Sequence, residues 1–153
     1  MPSRNPTYHE QRETSYTLQL RQLLTELQPY ARDYFRAAEQ KTSAKTRVSY
    51  AYDLLVFFRF LIEKNPELSS KGINGITLGD IDLLTSGDIE EYQEYLKYYE
   101  AENGEQKNGA PSIARKMSSL RSFSDYFYKK EMLTKNVAMQ VDMPKLHEKA
   151  IIR

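Results

Sequence analysis

Two short stretches of this sequence set hydroxyl and cationic side chains at the i, i+3, i+4, i+7 spacing of one helix face. They are Thr42, Lys45, Thr46 and Ser49, then Ser112, Arg115, Lys116 and Ser119. Each set opens a helical pattern, with Thr42 or Ser43 placed to cap the first and Pro111 suited to the first turn of the second. At a helix N-terminus the free amides and the positive end of the dipole favour phosphate. Hydroxyls and cations gathered there can hold a nucleic-acid backbone, and those that project further can reach base edges. The same residues also serve plain capping and solvation; for one such helix that plainer reading prevails, and two together leave nucleic-acid binding and plain capping evenly matched.

Other chemistries find little support. The chain contains neither G-x-S-x-G nor G-x-x-x-x-G-K-S/T, and Gly72, Gly75 and Gly79 do not stand between a strand and a helix as a dinucleotide loop requires. Zero Cys excludes disulfides, Cys-based zinc sites, iron–sulfur clusters and thiol nucleophiles, and leaves the compartment open with a lean to the cytosol. Two His are too few for a rich metal site, so no metal or cofactor is expected. Glu90, Glu91 and Glu94 share a helical stretch with Lys97 that needs a solvated face, and nothing in their spacing implies an acid–base pocket. The twelve Tyr fall at helical spacing and read mostly as core or half-buried aromatics with a wet hydroxyl.

The elements that must position these residues are helical. With 153 residues, 40% of them hydrophobic and 28% charged, the chain is long enough to bury a core and is not of disordered composition. No apolar run approaches the length of a membrane span. Residues 1–15 read as a flexible polar arm and 16–40 as an N-terminal helical segment carrying Leu20, Leu23, Leu24, Leu27, Ala31, Tyr34, Phe35 and Ala38, which Pro29 kinks or divides. The next helix, ended by Asn65-Pro66, holds Tyr50, Leu54, Phe57, Phe58 and Leu61 and is apolar nearly all round in its second half, as befits the buried centre of a domain. Thr77-x-x-Asp80 and Thr85-x-x-Asp88 are capping phrases; the first predicts a short turn and the second a helix from Asp88 to about Ala101. After Asn103-Gly104 and Asn108-Gly109 a long helix runs to about Lys130 with Ile113, Met117, Leu120, Phe123 and Phe127 inward, and a short one follows around Asn136–Val141. No segment shows strand alternation, so the fold class is all-α.

Charge divides unevenly along this plan. Residues 41–64 carry a net +3 and 111–153 a net +5, while 65–110 carry −7, although the whole chain is only +1. A fold that sets the two basic segments side by side has a basic side and an acidic side.

The stretch Ser43-Ala-Lys45-Thr46-Arg47-Val-Ser49-Tyr50-Ala-Tyr-Asp53-Leu54-Leu-Val-Phe57 resembles the opening helix of the core-binding domain of tyrosine recombinases, the phage-integrase family, which reads S-x-x-T-x-x-x-Y-x-x-D-L-x-x-F. The resemblance continues in Thr85-Ser-Gly-Asp88-Ile89-Glu-Glu-Tyr92, in Ser112-Ile-Ala-Arg115-Lys-Met-Ser118-Ser119-Leu120-Arg121, and in Asn136-Val-Ala138 followed by Pro144-Lys145, and covers roughly residues 27–149. It implies a SAM-like bundle of four to five helices with an additional N-terminal helix, forming one half of a C-shaped clamp on duplex DNA at a recombination site. On that likeness residues 41–142 are the DNA-binding domain and 143–153 the start of a linker. Lys45, Thr46, Ser49, Ser112, Arg115 and Lys116 are the positions carried over as DNA contacts. Ser43, Arg47 and Ser119 stand beside them, and Lys145 and Lys149 lie where relatives run their linker along DNA. Ser49 and Ser112 are the groove-facing choices.

The family's cleavage chemistry needs an Arg, a Lys, a His-x-x-Arg box and a Tyr nucleophile in a separate domain beginning after about residue 150, so the expectation here is binding without strand cleavage and no catalytic residue. His9-x-x-Arg12 spells the box but lies in the polar arm and reads as coincidence. Residues 1–26 match the family poorly, and Glu90, Glu94 and Glu105 are expected to face solvent or a neighbouring protomer. The expected partners are duplex DNA, the chain's own catalytic domain and other protomers. The competing reading is a helical protein-interaction module that never touches nucleic acid, and enzymatic activity of the isolated chain comes third.

Overall fold

A computed structural model describes residues 4–146. They hold seven α-helices, two 3-10 turns and one two-stranded sheet, and the chain divides after Thr77 into two compact units.

The first unit opens with α1 (Tyr8–Leu24), which starts inside the segment read as a flexible arm. Its start has a local cause. Thr7 accepts from the Glu10 amide at 3.2 Å while the Glu10 carboxylate accepts from the Thr7 amide at 3.2 Å, a reciprocal capping box that fixes the first turn without apolar residues. Leu20 and Leu23 are buried, and α1 packs on α3. The helix stops ahead of Pro29, and α2 (Ala31–Ala38) begins beyond it, so Pro29 divides two helices. Buried Gln28 donates to the Ile73 carbonyl at 3.0 Å and the Tyr30 hydroxyl to the Ile76 carbonyl at 2.6 Å, tying this connector to the end of the unit.

Ser43 caps α3 (Ala44–Lys64), the central helix, which buries Leu54, Leu55, Phe57, Phe58, Phe60 and Leu61. Asn65 ends α3 and caps the short α4 (Pro66–Ser69), whose first position is the proline that suits it. A 3-10 turn, Ile73–Gly75, completes the unit.

In the second unit α5 (Leu78–Asp82) is the short turn the first capping phrase predicts. Thr85 and Asp88 form a full capping box at the start of α6 (Ser86–Tyr95). That helix ends six residues before the expected Ala101. The chain turns instead into an antiparallel hairpin, β1 (Tyr98–Ala101) with β2 (Gly104–Lys107), pairing Tyr98 with Lys107 and Ala101 with Gly104. Two tyrosines of good strand propensity precede the Asn103-Gly104 turn. Gly104 takes φ +111°, a conformation that side chains resist, and this closes the turn. The Asn108 side chain then donates to the Leu96 carbonyl at 2.8 Å, fastening the base of the hairpin.

The long helix α7 (Ala110–Lys129) buries Ile113, Met117, Leu120, Phe123 and Phe127 as the periodicity predicts. It ends in a Schellman motif. The Met132 amide bonds back to the Phe127 carbonyl and the Glu131 amide to Tyr128, with Glu131 itself at φ 60°. Arg121 donates to the Ala138 and Met139 carbonyls, holding the 3-10 turn Val137–Gln140 against α7.

Candidate nucleic-acid interface

The start of α3 is one candidate surface. Exposed Ser43 accepts from the Thr46 amide at 3.2 Å, and the two hydroxyls lie 3.0 Å apart. The first turn holds no acidic residue, so nothing there offsets the positive end of the helix dipole. Lys45 is exposed, and Ser49 and Tyr52 follow it at i+4 and i+7, half-buried and exposed respectively. Arg47 is engaged elsewhere. Its guanidinium donates to the Thr42 carbonyl at 2.5 Å and reaches the Thr42 hydroxyl at 3.4 Å, bracing the turn that leads into α3. Ser43, Lys45, Thr46 and Ser49 thus share two helical turns, with Arg47 as the brace behind them.

The start of α7 is the other candidate surface, again without an acidic residue in its first turn. Exposed Arg115 stands as expected. Two neighbours do not. Ser119 is fully buried and donates to the Arg115 carbonyl at 2.9 Å, and Lys116 is only 8% exposed. The expectation that both lie on the outward face is corrected here. Each residue turns a helix by about 100°, which puts 116 inside the arc of Ile113, Met117, Leu120 and Phe123 and 119 on its flank, about 40° beyond Phe123. The outward stripe beyond Arg115 is Ser118 and Ser122, both exposed, at i+3 and i+7. Choosing i+3 rather than i+4 from Arg115, against the apolar pattern, was the signal for them.

Lys116 has a local task. Its Nζ lies 3.4 Å from the Ser112 hydroxyl, which donates to the Asn108 side chain at 2.6 Å, which in turn donates to the Leu96 carbonyl. This relay orients half-buried Ser112 at the helix start and connects α7 to the end of α6. Lys145 is exposed beyond the last 3-10 turn. Lys149 lies outside the described residues.

Glu90, Glu94 and Glu105 are all exposed, as expected of a solvated acidic face. Among the described residues no group of three or more His, Asp or Glu could hold a metal ion, and no helix is long and apolar enough to cross a membrane.

The family model for the phage integrase N-terminal SAM-like domain matches residues 30–131. The chain is also 36% identical over 118 residues to Tyrosine recombinase XerC of Caldanaerobacter subterraneus subsp. tengcongensis, an alignment covering 74% of this chain and 32% of that protein. The chain therefore spans about a third of the length of this relative. No solved structure matches it significantly. The helical fold, the order of the capped helices and the extent of the family match together show that this chain belongs to the phage integrase family of tyrosine recombinases and carries its N-terminal SAM-like domain.

Proposed function

We propose that this chain binds the duplex DNA of a recombination site, as the DNA-gripping part of a tyrosine recombinase. The observation that carries the reading is the pair of helix starts. Both α3 and α7 open without an acidic first turn and each presents an exposed cation, Lys45 or Arg115. Lys45, Thr46, Arg115 and Lys145 meet phosphates in this reading, Ser49 and Ser112 face the groove, and Ser43, Arg47 and Lys116 hold the contacting groups in place. Strand cleavage falls to a catalytic domain, which the matched SAM-like region is not. The natural setting is the cytoplasm, with neighbouring protomers on the same site.

Fluorescence anisotropy of the chain with a short duplex across a salt series tests this. Four to six neutralised phosphates predict a log–log slope of roughly −4 to −5. Arg115→Ala and Lys45→Ala each weaken binding and flatten the slope by about one. Absence of binding at low salt, or binding indifferent to both substitutions, contradicts the proposal and favours the protein-interaction reading, with the exposed acidic face of α6 as the surface to pursue.

A further inference from the structure

We propose that Arg12, held between Tyr8 and Tyr16 on α1, is a phosphate contact that extends the DNA-binding surface from the start of α3 onto α1. This rests on the DNA-binding reading above and adds to it a helix outside the family match, which covers residues 30–131.

The geometry begins with a helical stripe. Tyr8, Arg12, Tyr16 and Gln19 recur at i, i+4, i+8 and i+11 and so share one face of α1. The Arg12 guanidinium lies 5.7 Å from the centroid of the Tyr8 ring and 5.8 Å from that of Tyr16, and it donates to the Tyr16 hydroxyl at 3.2 Å. Rings and phenol leave the rest of its donor fork open to solvent, and Arg12 is exposed. A guanidinium pre-positioned on aromatic faces loses little side-chain freedom when it meets a planar or tetrahedral oxyanion.

A second contact fixes where this stripe runs. Gln19 donates to the Tyr52 hydroxyl at 3.0 Å, joining α1 to the stripe Lys45, Ser49 and Tyr52 on α3, and the two helices pack on each other. From that junction, Tyr16 lies one turn toward the start of α1, and Lys45 lies two turns toward the start of α3. The positive charge of Lys45 is accordingly felt at Tyr16. The hydrogen bond from Arg12 is the chief cause that draws this phenol below its ordinary range; burial opposes it, and the charges of Arg12 and then Lys45 add smaller downward pulls. Two exposed cations on neighbouring helices therefore flank a row of hydroxyls. Of the nearby carboxylates, Glu10 is held by Arg4 at 2.6 Å and by the Thr7 amide, which leaves Glu13 as the acidic side chain acting on Arg12 and Tyr16.

The test uses the whole chain and the duplex salt series. Arg12→Ala and Arg12→Gln are each measured against wild type, with Lys45→Ala beside them and Arg12→Lys as the charge-keeping control. Because Arg12 and Lys45 are both exposed, the far-UV circular dichroism of all four variants is expected to match wild type. Both neutral substitutions are expected to weaken binding about five- to tenfold at 0.1 M salt and to flatten the log–log slope by about one, the signature of one lost phosphate contact, while Arg12→Lys keeps the slope. Wild-type affinity and slope in Arg12→Ala and Arg12→Gln, with Lys45→Ala still weakened, overturns the α1 contact and leaves the DNA-binding reading standing. Failure of the wild-type chain to bind removes both. A change in oligomeric state by sedimentation at unaltered DNA affinity also overturns the proposal and makes Arg12 a protomer contact.

Discussion

Arg115 and Lys116 are adjacent basic residues in the sequence, yet they have opposite fates in the fold: one is exposed and the other is enclosed with its ammonium group near Ser112. Net charge per segment does not distinguish them; the helical angle does. The same lesson applies to the tyrosines, twelve in number but not equivalent. Tyr16 is drawn down by the hydrogen bond from Arg12, whereas Tyr98 is pushed up, chiefly by its hydrogen bond to Glu105, with burial and the charge of Glu100 adding to the effect. Tyr98 and Glu105 are diagonal neighbours on one face of the hairpin, given the pairing of Tyr98 with Lys107. A phenol ordinarily ionises near pH ~10. NMR-detected alkaline titration is therefore expected to show Tyr16 ionising before Tyr98. Arg12→Ala moves the Tyr16 midpoint up, and Glu105→Gln moves that of Tyr98 down. The linkage signs follow. Ionised Tyr16 favours the folded state as pH rises past its lowered midpoint, and that contribution is lost as pH falls back through it. The contribution of neutral Tyr98 is present at lower pH and lost as pH rises through its raised midpoint. Coincident titration of the two residues contradicts these contacts.

Among the elements, helix boundaries were the part most legible in the sequence, because their signals are local. Ser43, Thr85 and Pro111 each stand at the helix start their chemistry suggests, and Asn65-Pro66 ends α3 as read, with Asn65 also capping the short α4. Two elements were misread. α1 begins at Tyr8 through the Thr7–Glu10 capping box, a signal present in the sequence but masked by the polarity of the segment. The hairpin at 98–107 was hidden because Tyr99 continues the helical spacing of Tyr92 and Leu96, and its ring does stack on Tyr95 at 4.9 Å across the break. The end of α7 carries a further consequence. Glu131 holds the left-handed position of a Schellman motif that glycine fills without strain. Glu131→Gly is expected to raise stability by about 0.5–1 kcal/mol, the relief of left-handed strain less the added freedom of the unfolded chain. Thr85→Ala, which removes a capping box, lowers stability by about 1 kcal/mol. Thermal melts of the two variants shift in opposite directions, and equal shifts of one sign contradict the capping analysis.

For the whole molecule, charge is a matter of distribution. Through Thr77 the chain has eleven basic and eight acidic residues; beyond it, eleven and thirteen. A total of +1 gives weak long-range steering, so DNA binding in this account depends on short-range contacts at the helix starts rather than on an overall basic field. The family and its fold were legible because four motifs occur in order along the chain. The proposed contact set was less so, because inward and outward positions on α7 differ by a single residue and because Arg12, the contact proposed on α1, lies in a helix outside the family match. The central claim is that the starts of α3 and α7 meet DNA. Its most direct measurement is an amide chemical-shift map of the isotopically labelled chain with and without a short duplex at low salt. The account predicts shifts concentrated at residues 43–52 and 112–118, and around Arg12 and Tyr16 on α1, fading as salt is raised. Shifts confined to the acidic face of α6 around Glu90 and Glu94, or none at all, would contradict it.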